Sequence, residues 1–190
     1  MLVIRGRLAT AMLNWCVSTN AGVPLAGQDL LLIGAGGAAA GVLGPLIAQK
    51  PRRIVIANRT VGRADELVQR HGALAAQNGV ALRASALEAS AQDGPFDVVI
   101  NATASSLGGA GVPVPASVLK PGALALDMMY GPAAQGFLDW AAAHGARPRD
   151  GLGMLVEQAA ESFVIWRGVR PHSLTVLVEL RAIVDSVPKA

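Results

Sequence analysis

Short apolar runs alternate along this chain with longer segments of helical spacing. Asp29-Leu-Leu-Leu-Ile33 is the clearest run, and it stops at a glycine. Continuous apolar character over so few residues suits a parallel strand buried on both faces. Arg53-Ile-Val-Ile-Ala57, Val80 to Arg83, Phe96-Asp-Val-Val-Ile100, Ala123-Leu-Ala-Leu-Asp127 and residues 146–149 read the same way. Helices are predicted between them at 37–49, 61–71, 85–91 and 134–143, with a helical turn near 116–119. Thr60 is placed as the N-cap of the 61–71 helix and Gly72 as its stop. Two further helices follow, over Leu152 to Trp166 and 173–186. In the first, Leu155, Ala159, Ser162, Phe163 and Trp166 share one side. A helix over 8–20 precedes the first strand, with Leu8, Met12, Trp15 and Cys16 on one face.

Strands alternating with helices imply an α/β, doubly wound parallel sheet with both faces covered. Six strands at this spacing fit the Rossmann-type order 3-2-1-4-5-6 with flanking helices. Residues 25–190 are expected to form that domain, and 1–24 a helix and linker. Composition narrows the class. With 52% hydrophobic and 15% charged residues, disorder is excluded. The single cysteine excludes a disulfide framework and a cysteine-built zinc site; no metal is expected, and a cytoplasmic location fits. Sixteen basic residues against 13 acidic ones leave no nucleic-acid footprint. Leu30 to Gln49 is uncharged and long enough to span a bilayer, but its glycines and Pro45 suit a soluble turn, so no membrane partner is expected.

Gly34-Ala35-Gly36-Gly37-Ala38-Ala39 follows the first strand and opens a helix. It fits G-x-G-x-x-G/A with Ala39 last. Gly34 permits the tight turn, Gly36 lets backbone approach a pyrophosphate, and Ala39 allows close helix–strand packing. The helix N-terminus then offers N–H groups and positive potential to phosphate. The second strand ends in Asn58-Arg59-Thr60, where an NAD site usually carries an acidic residue. No carboxylate occurs between Asp29 and Asp65. Arg59 stands there instead, with Arg63 one turn later. Two guanidinium groups suit a 2′-phosphate, so the expected cofactor is NADP. Arg63 has an alternative, pairing with Asp65 or Glu66.

The segments GAGGAAAG at 34–41, NRTVGRA at 58–64, DVVINAT at 97–103, LDMMYGP at 126–132 and DGLGMLVEQAAESFVIW at 150–166 together resemble the shikimate dehydrogenase family. The resemblance covers about residues 25–186. It implies reduction of 3-dehydroshikimate to shikimate with NADPH, in aromatic amino-acid biosynthesis, and a cleft between a substrate domain and a C-terminal NADP domain. Gly34, Ala35, Gly36, Gly37 and Ala38 would hold the pyrophosphate. Asn58, Arg59, Thr60 and Arg63 would hold the adenosine 2′-phosphate. Asn101, Ala102 and Thr103 would line the cofactor near its ribose and nicotinamide, with Met128 against the nicotinamide and Gly151 approaching its amide. Tyr130 and Gln158 would contact a shikimate-like hydroxy acid.

The chain departs from that family at the chemistry. A ketone receiving hydride needs a nearby proton donor, which the resemblance places on a Lys–Asp pair of the N-terminal domain. Here the lysines are Lys50, Lys120 and Lys189, and no Asp or Glu precedes Asp29. The substrate domain is therefore expected to be missing. His71 and His144 are read as helix-end residues beside glycines, His172 as a linker residue, Asp127 as structural and Cys16 as core. No self-contained catalytic set remains. Three readings stay open: an oxidoreductase of the shikimate or quinate dehydrogenase type present as its cofactor half, a non-enzymatic NADP-binding module or degenerate remnant, and an α/β domain with an empty turn. A homodimer through an uncovered apolar surface around 8–20 and the helices after residue 150 is a further expectation.

Overall fold

The computed structural model describes residues 23–103 and 111–186. The expected helix at 8–20, with Cys16, lies outside them. Six parallel strands form one sheet: β1 (Asp29–Ile33), β2 (Arg53–Ala57), β3 (Ala81–Ser85), β4 (Phe96–Asn101), β5 (Leu119–Asp127) and β6 (Arg147–Arg149). Their order is β3-β2-β1-β4-β5-β6, as the pattern predicts. The helices are α1 (Gly37–Ala48), α2 (Val61–Gln77), α3 (Ser90–Asp93), α4 (Pro132–Ala143), α5 (Leu152–Arg167) and α6 (Ser173–Ser186), with a 3-10 turn at Ala116–Val118.

Every residue of β1 is buried, which is why its apolar run is unbroken. Alternate side chains enter two cores. Leu30, Leu32, Ile54, Ile56, Val98 and Ile100 meet Val42, Leu43, Leu46 and Ile47 of α1 on one face. Leu31, Ile33, Val55 and Val99 meet Phe137 and Ala141 of α4 on the other. The segment Leu30 to Gln49 is thus a strand, a turn and a twelve-residue helix. Among the described residues no helix is long and apolar enough to cross a membrane.

Three boundaries and one helix face differ most from the sequence reading. Gly72 does not stop α2, which runs on to Gln77. One interior glycine costs about 1 kcal/mol, and burial of Leu67 and Ala75 on the sheet outweighs it. The chain turns instead at Asn78-Gly79, where Gly79 takes φ +70° and the Asn78 side-chain amide donates to Leu74 O. His71 is consequently inside α2, its Nδ1 3.0 Å from Leu67 O, and not at a helix end. Residue 85 belongs to β3, so the following helix shrinks to Ser90–Asp93. β5 begins at Leu119, with a register shift between Phe96 and Val98 on its neighbour. Lastly, α5 buries Leu152, Gly153, Val156, Glu157 and Ala160. The stripe of Leu155, Phe163 and Trp166 faces outward, and Trp166 is 77% exposed.

The amino edge of the sheet is held by charge. Asp29 is buried and accepts from Arg52 Nε at 2.7 Å and Arg53 Nη2 at 3.2 Å, with Lys120 Nζ at 3.8 Å. Asp97 accepts from the Asp29 backbone N–H at 2.9 Å and from Lys120 at 2.8 Å. These contacts join the starts of β1, β2, β4 and β5. Burial pushes the Asp29 carboxyl up, but the hydrogen bonds and charges of Arg52 and Arg53 outweigh it and hold the group below its ordinary value. A lowered native pKa adds stability above the unfolded value and loses it as pH falls through the native one. Asp29→Asn should therefore lower stability by roughly 1–3 kcal/mol at neutral pH. In urea unfolding the gap to wild type should begin to narrow below about pH 4 and go on narrowing as pH falls; an equal gap at pH 7 and pH 3 would contradict it.

Candidate functional site

The opposite, carboxyl edge gathers the residues that the sequence singled out. Ile33 pairs with Asn101, and Asn101 with Asp127, so the tips of β1, β4 and β5 end level. Past Ile33 the backbone turns at Gly34, whose φ of +105° an L side chain rarely adopts. A Cβ there would lie 3.0 Å from Thr103 Cγ2 and 3.1 Å from Ala102 O. The Gly34 N–H donates to Ala57 O, and the Ala102 N–H to Ile33 O, both at 2.8 Å. The turn is thereby sewn to β2 on one side and β4 on the other.

α1 starts at Gly37 with extended Gly36 as its N-cap, and no side chain caps it. Its first-turn amides lack intrahelical acceptors. Cβ atoms on Gly36 or Gly37 would meet no atom of the described residues within 4 Å, so among these residues open space lies above the turn. No acidic residue occupies the first turn. Open space, free amides and the helix dipole together make an anion cradle.

At the β2 tip, the Asn58 side-chain amide donates to Thr60 O at 2.8 Å and shapes the turn into α2. Thr60 occupies the N-cap but makes no side-chain capping bond. Arg59 and Arg63 are exposed. Among the described residues neither has a carboxylate within ion-pair distance, so the alternative pairing of Arg63 with Asp65 or Glu66 is not realised. Two uncompensated guanidinium groups therefore stand beside one turn.

At the β4 and β5 tips the arrangement is inward. Asn101 is 1% exposed. Its Nδ2 donates to Asp127 Oδ2 at 2.9 Å, and its Oδ1 accepts from Thr103 Oγ1 at 2.7 Å and Thr103 N at 3.2 Å. Asp127 Oδ1 accepts from the Met129 N–H at 2.8 Å. Asn101 thus lies beneath the edge, and half-buried Ala102 and Thr103 form its surface. Met128 is half-buried against the α1-side core, as is Met154. Tyr130 is 40% exposed. Gln158, one turn beyond Met154, is half-buried, and its side chain makes no hydrogen bond among the described residues.

The β6 loop locks onto this edge. The Gly151 N–H donates to Met129 O at 2.8 Å, and a Cβ on Gly151 would fall 2.3 Å from Met128 O. Asp150 beside it takes a two-pronged bond from Arg181 of α6, at 2.6 and 2.7 Å. The Asn101–Asp127 pair and the Asp150–Arg181 fork were invisible to sequence reasoning. Only the strand order reveals that Asn101 and Asp127 are neighbours. His144 caps α4, its Nδ1 2.7 Å from Trp140 O, and His172 lies just before α6.

A parallel sheet in this order, with a glycine turn feeding an uncapped helix at its carboxyl edge, defines a Rossmann-type dinucleotide-binding fold. Comparison with known proteins gives the family. Residues 17–108 match the family model described as shikimate / quinate 5-dehydrogenase, and residues 151–171 match the shikimate 5'-dehydrogenase C-terminal domain. The chain is 68% identical over 166 residues to a shikimate dehydrogenase (NADP(+)) of Acidovorax ebreus, covering 87% of this chain and 58% of that protein. It is 67% identical over 169 residues to one from Methylibium petroleiphilum, covering 89% and 57%. Among solved structures it is similar to an Ael1 enzyme from Pseudomonas putida, at TM-score 0.79 and 39% identity, over 96% of this chain and 64% of that one. The shikimate 5-dehydrogenase of Thermus thermophilus in complex with NADP(H) and shikimate aligns at TM-score 0.74 and 29% identity, over 92% and 61%. Over the region matched, the chain belongs to the shikimate dehydrogenase family. It spans under three-fifths of the length of these two curated relatives.

The two glycine positions predict unequal behaviour. Gly151→Ala forces Met128 O aside and should lower stability by about 1–3 kcal/mol. Gly36→Ala meets no atom of the described residues within 4 Å and should lower the chemical-denaturation midpoint far less, by no more than the small cost of Ala at an N-cap. Equal midpoints for the two variants would refute the close approach at Gly151.

Proposed function

We propose that this chain supplies the NADP-binding part of a shikimate dehydrogenase, which reduces the ketone of 3-dehydroshikimate to shikimate at the expense of NADPH. The observation that carries the reading is the pair of exposed, unpaired guanidinium groups at Arg59 and Arg63, at a strand tip where an NAD site needs a carboxylate. The residues present fit the coenzyme: the turn leaves open space where a Cβ would intrude, and the helix amides above it lack partners. Its relatives' names, shikimate dehydrogenase (NADP(+)), support the same assignment.

In this reading Gly34, Ala35, Gly36, Gly37 and Ala38 bind the pyrophosphate through backbone amides. Arg59 and Arg63 neutralise the 2′-phosphate, with Asn58 holding the turn and Thr60 adding a hydroxyl. Ala102 and Thr103 wall the ribose, and Asn101 supports them from below. Met128 and Gly151 set the place of the nicotinamide, an apolar contact and a backbone one. Tyr130 and Gln158 offer a phenol and an amide to the hydroxyls of the substrate. Bound there, the nicotinamide would supply the hydride. A proton must also reach the carbonyl oxygen as the hydride arrives at carbon.

Arg59→Ala should weaken NADP binding by about 1.4–3 kcal/mol, the range for a charge-assisted contact, and leave NAD binding nearly unchanged. Calorimetric titration of both coenzymes reads this directly; an equal loss for the two would refute the 2′-phosphate assignment. Exposed Phe163 and Trp166 of α5 with Leu174 and Ile183 of α6 support self-association of the chain. Sedimentation should give a dimer at micromolar concentration, and a monomer mass would remove that element.

A further inference from the structure

We propose that Asn101 and Asp127 act as one polarised unit that positions the β4 and β5 tips against the nicotinamide half of the coenzyme, with Asp127 as a positioning residue. This rests on the NADP reading above. Both side chains are buried and sit at matched register in adjacent strands. A pair of polar groups inside an apolar sheet is costly unless its hydrogen bonds are made. Here the named bonds reach outward to the two tip loops. Thr103 donates to Asn101 through hydroxyl and backbone, Asn101 donates to Asp127, and the Met129 N–H donates to the other carboxylate oxygen. Each loop's shape is thus read off by one end of the pair.

The loops so held are those that border the site. Thr103 Cγ2 lies 3.0 Å from the place of a Cβ on Gly34, so the Thr103 rotamer limits the glycine turn. Met129 O receives the Gly151 N–H, and Met128 O abuts Gly151 Cα closely enough to exclude any side chain. The chain of contacts therefore runs from β1 across β4 and β5 to the start of α5. Arg59 stands on the other side of β1, at the tip of β2. The two halves of a dinucleotide laid across this edge would rest on different supports, and only the nicotinamide half would rest on the Asn101–Asp127 pair.

The chemistry of the pair makes the inference testable. Asp127→Asn leaves one oxygen for two donors, so whichever way the new amide turns its NH2 faces either the Asn101 amide or the Met129 N–H. Asn101→Asp sets two carboxylates face to face. The exchange Asn101→Asp with Asp127→Asn restores every bond named here: the new carboxylate accepts from Thr103 and from the new amide, whose oxygen accepts from Met129. Calorimetric titration of the 190-residue chain should use NADPH and adenosine 2′,5′-bisphosphate, which keeps the 2′-phosphate and lacks the nicotinamide. Each single variant should lose about tenfold in NADPH affinity, the worth of one buried hydrogen bond, with bisphosphate affinity unchanged. The exchange variant should recover NADPH binding to near wild type, a non-additivity expected only of coupled groups. Equal loss of both ligands in the single variants would mark the pair as structural alone and overturn the proposal. So would unchanged NADPH binding in the single variants, or an exchange variant that adds the two losses or fails to fold. If the single variants do not fold, the exchange variant decides by itself. Failure of wild type to bind the bisphosphate would instead remove the coenzyme reading, and this inference with it.

Discussion

The structure depends on the burial of a parallel ladder on both of its faces. β1 exposes almost nothing, and its backbone groups find partners in β2 and β4. Covering both faces requires a helix in each crossover, and right-handed crossovers bring every strand into the sheet in the same direction. All six strands then start at one edge and finish at the other. That constraint separates the molecule into an edge of charge and an edge of open turns. The second is where a ligand can lie without disturbing the core.

Both edges bury a carboxylate, Asp29 at one and Asp127 at the other. Asp29 draws cations from β2 and β5, whose guanidinium and ammonium heads stay partly in water. The cost of burial is offset by several charges whose own desolvation is small. Asp127 accepts from an amide of Asn101 and a backbone N–H of Met129. These short donors tie the β4 and β5 tip loops together.

The last two helices follow a different logic. α5 lays small or branched residues, Gly153, Val156 and Ala160, against the domain and turns Leu155, Phe163 and Trp166 away. α6 fully buries none of its residues, and Arg181 ties it to Asp150. That fork sits next to Gly151, whose contact with Met128 O leaves no room for slack. The attachment of α6 and the position of the β5–β6 loops are therefore mechanically linked through two adjacent residues.

By itself the sequence determined the strands, their order and the two local signatures at the site. The apolar runs, the G-x-G-x-x-A turn and Arg59 in the place of an acidic residue are short-range features, each set within a few residues of chain. Strand boundaries for β1 and β2 match the pattern residue for residue, because runs buried on both faces leave no alternative. Only the tertiary structure decided how far α2 runs past Gly72, since packing on the sheet outweighs one residue's propensity. It alone decided which side of α5 is inside, because a helix with apolar residues on two sides carries no periodicity that chooses between them. It also decided that Asn101 faces Asp127. Those residues stand 26 positions apart, and hydrogen bonding between neighbouring strand tips is a property of strand order and register, which no local pattern encodes.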